Sequence, residues 1–106
     1  MNKRICVIGG GRWGQKHIKT LYKTGNLAGI VENDPDRLKE LLKLYPVNGF
    51  NSVSNASKEK FDGYIVATPA ETHYTIGKQL LELGLNVLIE KPMALKSEHS
   101  EELINI

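Results

Sequence analysis

An unbroken apolar run, Ile5–Ile8, passes directly into Gly9-Gly10-Gly11, and a further glycine follows at Gly14. A short run with no polar alternation is the pattern of a strand buried on both faces, as in parallel sheets covered by helices. Behind the glycines, Gly14, Ile18, Leu21 and Tyr22 fall on one helical face, and Gly25-Asn26 ends the helix. Strand, glycine turn and helix in that order already restrict the chain to a small set of folds.

The pattern then repeats. Leu27–Val31 is a second apolar run. Asp34-Pro35 reads as an N-cap with proline in the first helical position, and Leu38, Leu41, Leu42 and Tyr45 continue at helical spacing up to Pro46. The stretch from Val47 to Lys60 carries the weakest pattern; Gly49–Asn51 is expected as a short edge strand, followed by a loop or a brief helix. Gly63–Ala67 is the next clear run. Thr72–Leu83 is amphipathic, with His73, Ile76, Gly77 and Leu80 on one stripe, and Gly84 closes it. Leu85–Ile89 is the last expected strand, and Ser97–Asn105 reads as a helix capped by Ser97. Strands alternating with helices pair in parallel, because each return to the same end needs a crossover, and those crossovers are right-handed. The expected fold is α/β: a doubly wound parallel sheet of the Rossmann type in three α/β/α layers, with strand order 3-2-1-4-5. It fills residues 1–106 as a single domain.

Composition excludes several classes of function. Fourteen Lys and Arg against 12 Asp and Glu give a formal charge of +2, too mild and too scattered for a nucleic-acid footprint. No run approaches the roughly 20 apolar residues of a membrane span, and the apolar part of the N-terminus is too short for a signal peptide, so a cytoplasmic location is expected. Cys6, the single cysteine, lies inside the first strand and reads as a small buried thiol rather than a nucleophile. His17, His73 and His99 have no metal-ligand spacing, and no metal site is expected.

Gly9, Gly11 and Gly14 stand in the pattern G-x-G-x-x-G between an expected strand and an expected helix, the context a dinucleotide fingerprint requires. Gly9 makes the turn, Gly11 lets the backbone approach a pyrophosphate, and Gly14 lets the helix pack close to the sheet. The helix N-terminus offers free N–H groups and partial positive charge to the diphosphate. Such a site needs an acid about 20 residues on to hold a ribose. Asp34 is already explained as an N-cap, which leaves Glu32, at the tip of the second strand, as the ribose ligand. A carboxylate there accepts from the 2′- and 3′-hydroxyls and repels a 2′-phosphate, so NAD is favoured over NADP. Arg37 could soften that repulsion, although a solvated helix arginine is the plainer reading. Two roles stay open for Arg12, a diphosphate contact or an exposed helix start, and two for Trp13, a pocket wall or a packing cap.

The remaining strand ends carry Ala67-Thr68-Pro69-Ala70-Glu71-Thr72-His73 and Glu90-Lys91-Pro92, on the same carboxyl edge as the glycine loop and Glu32. With Val7–Gly14 and Val87–Leu95, in this order and spacing, the chain resembles the Gfo/Idh/MocA oxidoreductases, named for glucose–fructose oxidoreductase and inositol dehydrogenase. The resemblance covers essentially the whole chain, and the Glu-Lys-Pro after the fifth strand is its most specific part. It implies an NAD(P)-binding Rossmann domain of an enzyme that moves a hydride between the nicotinamide and a hydroxyl of a sugar, inositol or sugar nucleotide. Gly11–Gly14 with His17 is similar to the sugar-nucleotide branch. Carried over by position, Lys91 is the catalytic residue beside the nicotinamide and the substrate hydroxyl. Thr68 and Pro69 line the cofactor cleft, Glu90 orients the site, and His73 is either a cofactor contact or a structural first-turn histidine. A cation at Lys91 suits this chemistry, because removing hydride from a carbinol carbon requires the hydroxyl proton to leave.

Family members are several times longer and carry a second α+β domain that binds substrate, supplies proton-transfer groups and commonly forms the oligomer contact. That domain is not in this sequence. The chain is therefore expected to be a truncated cofactor domain, inactive by itself, with any homo-oligomer formed through the absent half. The alternative is a non-catalytic module that binds or senses NAD(H) with a partner chain. A Rossmann methyltransferase is disfavoured by Gly14 and by the Glu-Lys-Pro segment.

Overall fold

The computed structural model describes residues 3–89. Five strands and four α-helices alternate: β1 (Ile5–Ile8), α1 (Arg12–Thr24), β2 (Leu27–Val31), α2 (Pro35–Leu44), β3 (Asn48–Phe50), α3 (Val53–Ser57), β4 (Gly63–Val66), α4 (His73–Glu82) and β5 (Val87–Ile89). The strands form one parallel sheet in the order β3-β2-β1-β4-β5. This is the expected doubly wound topology. The chain starts in the middle, moves outward through β2 to β3, then crosses to β4 and β5 on the other side.

Because successive strand side chains point to opposite faces, β1 feeds two cores. Cys6 and Ile8 join Val31, Phe61, Tyr64, Val66 and Leu80 in one buried cluster. Val7 joins Ile18, Ile30 and Leu41 in the other. The helical stripes read from sequence supply the covering layers: Ile18 of α1 and Leu41 of α2 on one face, Leu80 of α4 on the other. Right-handed crossovers that change direction at β1 place the two helix pairs on opposite faces.

Differences from the sequence reading lie at element ends. β3 occupies Asn48–Phe50 rather than Gly49–Asn51, and the segment after it forms the brief helix α3, capped by Ser52, whose Oγ accepts from Asn55 N at 3.2 Å. β5 begins at Val87 rather than Leu85. A turn of 3-10 helix, Ala70–Thr72, precedes α4 and moves its start to His73. Tyr22 is 46% exposed and not part of the buried stripe, and its ring meets Tyr45 edge-on at 5.2 Å. The expected helix Ser97–Asn105, with Glu90 and Lys91, lies outside the described residues.

Tyr64 fixes the crossover between the two halves. Its hydroxyl donates to Ala56 O at 3.1 Å and accepts from Phe61 N at 3.2 Å, joining α3 to the start of β4. Burial raises its pKa above the usual phenol value, so the hydroxyl keeps the proton it donates. No helix among the described residues is long and apolar enough to cross a membrane.

Candidate functional site

The carboxyl ends of the strands are tied together by backbone hydrogen bonds. Gly9 N donates to Val31 O at 2.8 Å, Ala67 N to Ile8 O at 2.8 Å, and Glu32 N to Phe50 O at 3.0 Å. Over this edge opens a cleft whose wall includes Gly9, Gly10, Gly11, Glu32, Thr68 and Pro69. It lies where β1 separates β2 from β4, the position at which open α/β sheets bind ligands.

Each fingerprint glycine has a distinct geometric reason. Gly9 has φ +105°, and a Cβ there would stand 2.9 Å from the Ala67 carbonyl. At Gly14 a Cβ would fall on the Gly9 carbonyl oxygen, with the carbonyl carbon 2.7 Å away, so α1 can approach the sheet only without a side chain. Gly11 differs from both: a Cβ there would meet no protein atom within 4 Å. Its smallness keeps space open beside the first turn of α1.

That first turn is open, as is that of α4. Gly11 is its N-cap, no side chain caps it, and no acidic residue sits in it. The N–H groups at the start of a helix have no intrahelical partners and carry partial positive charge, so this end presents donors toward the cleft. The next helix is closed in the ordinary way. Asp34 Oδ1 accepts from Asp36 N at 3.0 Å and from Arg37 N at 3.4 Å, with Pro35 in the first turn. The sequence reading of Asp34 as a cap therefore holds.

Glu32 is only 5% exposed. Its Oε1 accepts from Gly10 N at 2.8 Å, and its Oε2 accepts from Asp34 N at 2.9 Å. From sequence alone Glu32 had an expected ligand role and no structural one; the geometry supplies the structural one. It lines the cleft and also clamps the glycine loop to the end of β2. Arg37 reaches the same carboxylate, with Nη1 3.5 Å from Oε1 and a side chain 49% exposed. Arg37 is thus not a detached solvated residue, and it too lines the cleft. Gly10, to which the fingerprint assigns no task, lies beneath this group: a Cβ there would stand 2.5 Å from Leu41 Cδ1 and 2.9 Å from Glu32 Oε1. The signal in the sequence was a glycine at the variable position between the two fingerprint glycines Gly9 and Gly11.

On the opposite wall, Thr72 Oγ1 lies 2.6 Å from both Thr68 Oγ1 and the Pro69 carbonyl oxygen. The carbonyl can only accept, so the Thr72 hydroxyl donates to it, and the Thr68 hydroxyl donates to Thr72. Thr68 therefore presents lone pairs, not a proton, to the cleft. His73 Nε2 lies 2.8 Å from the Thr68 carbonyl oxygen, which fixes the protonated nitrogen in this contact.

A model of the Gfo/Idh/MocA group, described as an oxidoreductase family with an NAD-binding Rossmann fold, matches residues 3–106. The chain belongs to this family. It is 29% identical over 106 residues to the UDP-N-acetylglucosamine 3-dehydrogenase of Acidithiobacillus ferrooxidans, covering all of this chain and 34% of that enzyme. It is 27% identical over 108 residues to inositol 2-dehydrogenase of Corynebacterium glutamicum, covering 97% of this chain and 32% of that one. Among solved structures, the WlbA dehydrogenase of Bordetella pertussis, in complex with NADH and UDP-GlcNAcA, superposes with a TM-score of 0.91 at 25% identity. That match covers 98% of this chain and 32% of WlbA. The chain spans about a third of the length of the relatives it matches, and it corresponds to the NAD-binding Rossmann domain of the Gfo/Idh/MocA family.

Against that identity the residues predicted for the site divide. Gly9, Gly11, Glu32, Thr68 and Pro69 come together around the cleft, and Gly14 lies behind it as the helix-packing position. Arg12 is exposed at the first position of α1, beside the cleft but not in its wall. Trp13 is neither wall nor packing cap: it is 59% exposed, with Lys16 Nζ 4.2 Å over its ring, because Gly14 and Ile18 take the inward face of α1. His73 is 2% exposed and sits behind the wall, holding the Thr68 carbonyl. Lys91 and Glu90 lie outside the described residues. Burial pushes the Cys6 thiol up to about 12, which leaves it protonated and unreactive. Among the described residues, no group of three or more His, Cys, Asp or Glu is gathered that could hold a metal ion.

Proposed function

We propose that this cleft binds NAD(H) for an oxidoreductase that transfers hydride between the nicotinamide and a hydroxyl-bearing carbon of a sugar-like substrate, with sugar nucleotides the favoured class. The observation that carries the reading is the start of α1, left without a cap beside a glycine whose missing side chain faces only open space. Those donors suit a diphosphate. Glu32 accepts from a ribose hydroxyl, and Thr68, committed as a donor to Thr72, accepts from a donor on the ligand. The relatives named for UDP-N-acetylglucosamine oxidation and for a complex with NADH and UDP-GlcNAcA support the substrate class.

NAD, when bound, supplies the hydride acceptor. In this reading Gly11 and the first turn of α1 hold the diphosphate, Glu32 sets the adenosine end, and Pro69 shapes the opposite wall. Lys91 follows β5 by two residues in sequence, and its ammonium stabilises the alkoxide that develops as the substrate hydroxyl loses its proton. Substrate selection and proton acceptance fall to residues beyond this domain.

The test is a titration of the 106-residue chain with NADH, read by Trp13, the only tryptophan. Trp13 stands in the first turn of α1, so bound reduced nicotinamide should quench its emission. Saturable quenching below millimolar NADH is expected. A flat titration with the fold intact by circular dichroism overturns the reading.

A further inference from the structure

The 14 Lys and Arg are spread along the chain, yet four of them share one ridge. Arg12, Lys16, Lys19 and Lys23 recur at helical spacing, which stacks them on the outward side of α1, opposite buried Gly14 and Ile18. All four are exposed, and α1 contains no Asp or Glu. Among the described residues, none of the four pairs with a carboxylate. The whole chain carries a formal charge of +2, so everything outside this ridge sums to −2. Like charges at these spacings destabilise a helix, and Arg12 also stands at the positive end of its dipole. Nothing within α1 is gained by the arrangement.

The other sides of the cleft carry the opposite sign. Asp34 and Asp36 stand at the start of α2, and Glu71 in the 3-10 turn before α4; all three are exposed. Glu32 adds a buried carboxylate, opposed by Arg37. An anionic ligand therefore meets repulsion from the α2 and α4 sides and attraction from the α1 side, where the glycine loop and the open helix start lie. At 1.5 Å per residue, Lys19 and Lys23 stand about 10 and 16 Å along the helix from Arg12. They are too far from the cleft to touch a ligand in it. Their field still reaches it, because charges are screened over about 10 Å at 0.1 M salt and about 30 Å at 0.01 M.

We infer that the α1 ridge is an electrostatic guide: it draws the nucleotide diphosphate along α1 to the helix start and so raises the association rate. Lys19 and Lys23 act in this without contacting the bound ligand. The inference rests on the NAD-binding reading above and adds to it the path of approach.

The experiment is stopped-flow mixing of the 106-residue chain with NADH, read by Trp13 emission, at ionic strengths from about 0.02 to about 0.5 M. Wild type is compared with Lys19→Glu/Lys23→Glu and with Lys3→Glu/Lys58→Glu, which makes the same change in net charge before β1 and after α3. Each variant is first checked for an unchanged fold by circular dichroism. At low salt the α1 pair should slow association about fivefold, with dissociation within about twofold, and the control pair less than about twofold. The milder Lys19→Gln/Lys23→Gln should slow it about twofold, and all differences should vanish at about 0.5 M. An unchanged association rate in Lys19→Glu/Lys23→Glu, equal slowing in the control pair, or a loss that persists at high salt overturns the inference while leaving NAD binding intact. Failure of NADH to bind the folded wild type overturns the reading of the cleft itself, and this inference with it.

Discussion

The starts of α1 and α2 stand one helix apart on the same face of the sheet and are built in opposite ways. α2 is closed: Asp34 takes two of its first N–H groups and Pro35 removes another donor. α1 begins at a glycine with no side-chain cap and no acid in its first turn. A glycine at the helix start forgoes the side-chain cap that a serine or aspartate would supply, at a cost of only about a few tenths of a kcal/mol. Side chains cap α2 and α3 but neither α1 nor α4, and of the two uncapped starts only α1 follows directly on the glycine loop, whereas α4 is preceded by a turn of 3-10 helix. The comparison also shows how the two helix starts are coupled. Glu32 accepts from Gly10 N just before α1 and from Asp34 N just before α2. One buried carboxylate thus sets the geometry of both.

The largest effect should come from Gly14→Val, which pushes α1 off the sheet at the Gly9 carbonyl. A loss of about 3 kcal/mol in urea unfolding is expected, with NADH binding abolished. Gly11→Val separates binding from folding: its side chain enters open space, so the urea midpoint should hardly move while NADH affinity drops about a hundredfold, near 2.7 kcal/mol. Equal losses in stability and affinity would mean that Gly11 is structural. Glu32→Ala strands the buried Gly10 N–H and should cost about 2 kcal/mol of stability as well as weakening NADH. If stability were untouched, the clamp between the two helix starts would be absent. Asp34→Ala is the smallest, about 1 kcal/mol from the lost cap, with NADH affinity within about twofold. A larger loss of affinity there would erase the distinction between a closed helix start and an open one.

Much of this was legible in the sequence because period and punctuation act locally. Apolar runs of four or five residues, Asp34-Pro35 and Gly25-Asn26 specify strands, a cap and a stop within a few residues of themselves, and right-handed crossovers then leave one strand order. The glycine loop was legible for the same reason. The missed features depend on atoms distant in sequence. Gly10 is small because Leu41 and Glu32 lie over it, and Arg37 matters because the turn after β2 carries it back to Glu32. The role of Trp13 stayed open because its orientation follows from which face Gly14 and Ile18 bury, and that of His73, whose structural reading fits, because its partner is a backbone carbonyl that no side-chain pattern reveals. β3 shifted by a residue for a related reason: an exposed edge strand of three residues has little apolar pattern to fix its register.

The most direct test of an open α1 start is a titration of the uniformly labelled wild-type chain with NADH, followed by amide nitrogen and proton shifts. The largest changes should fall on the backbone amides of Gly11, Arg12 and Trp13, while that of Asn55, whose N–H is already held by Ser52, stays near its starting position. Saturable shifts centred elsewhere, with Gly11, Arg12 and Trp13 unmoved, would contradict the assignment of this helix start to the diphosphate.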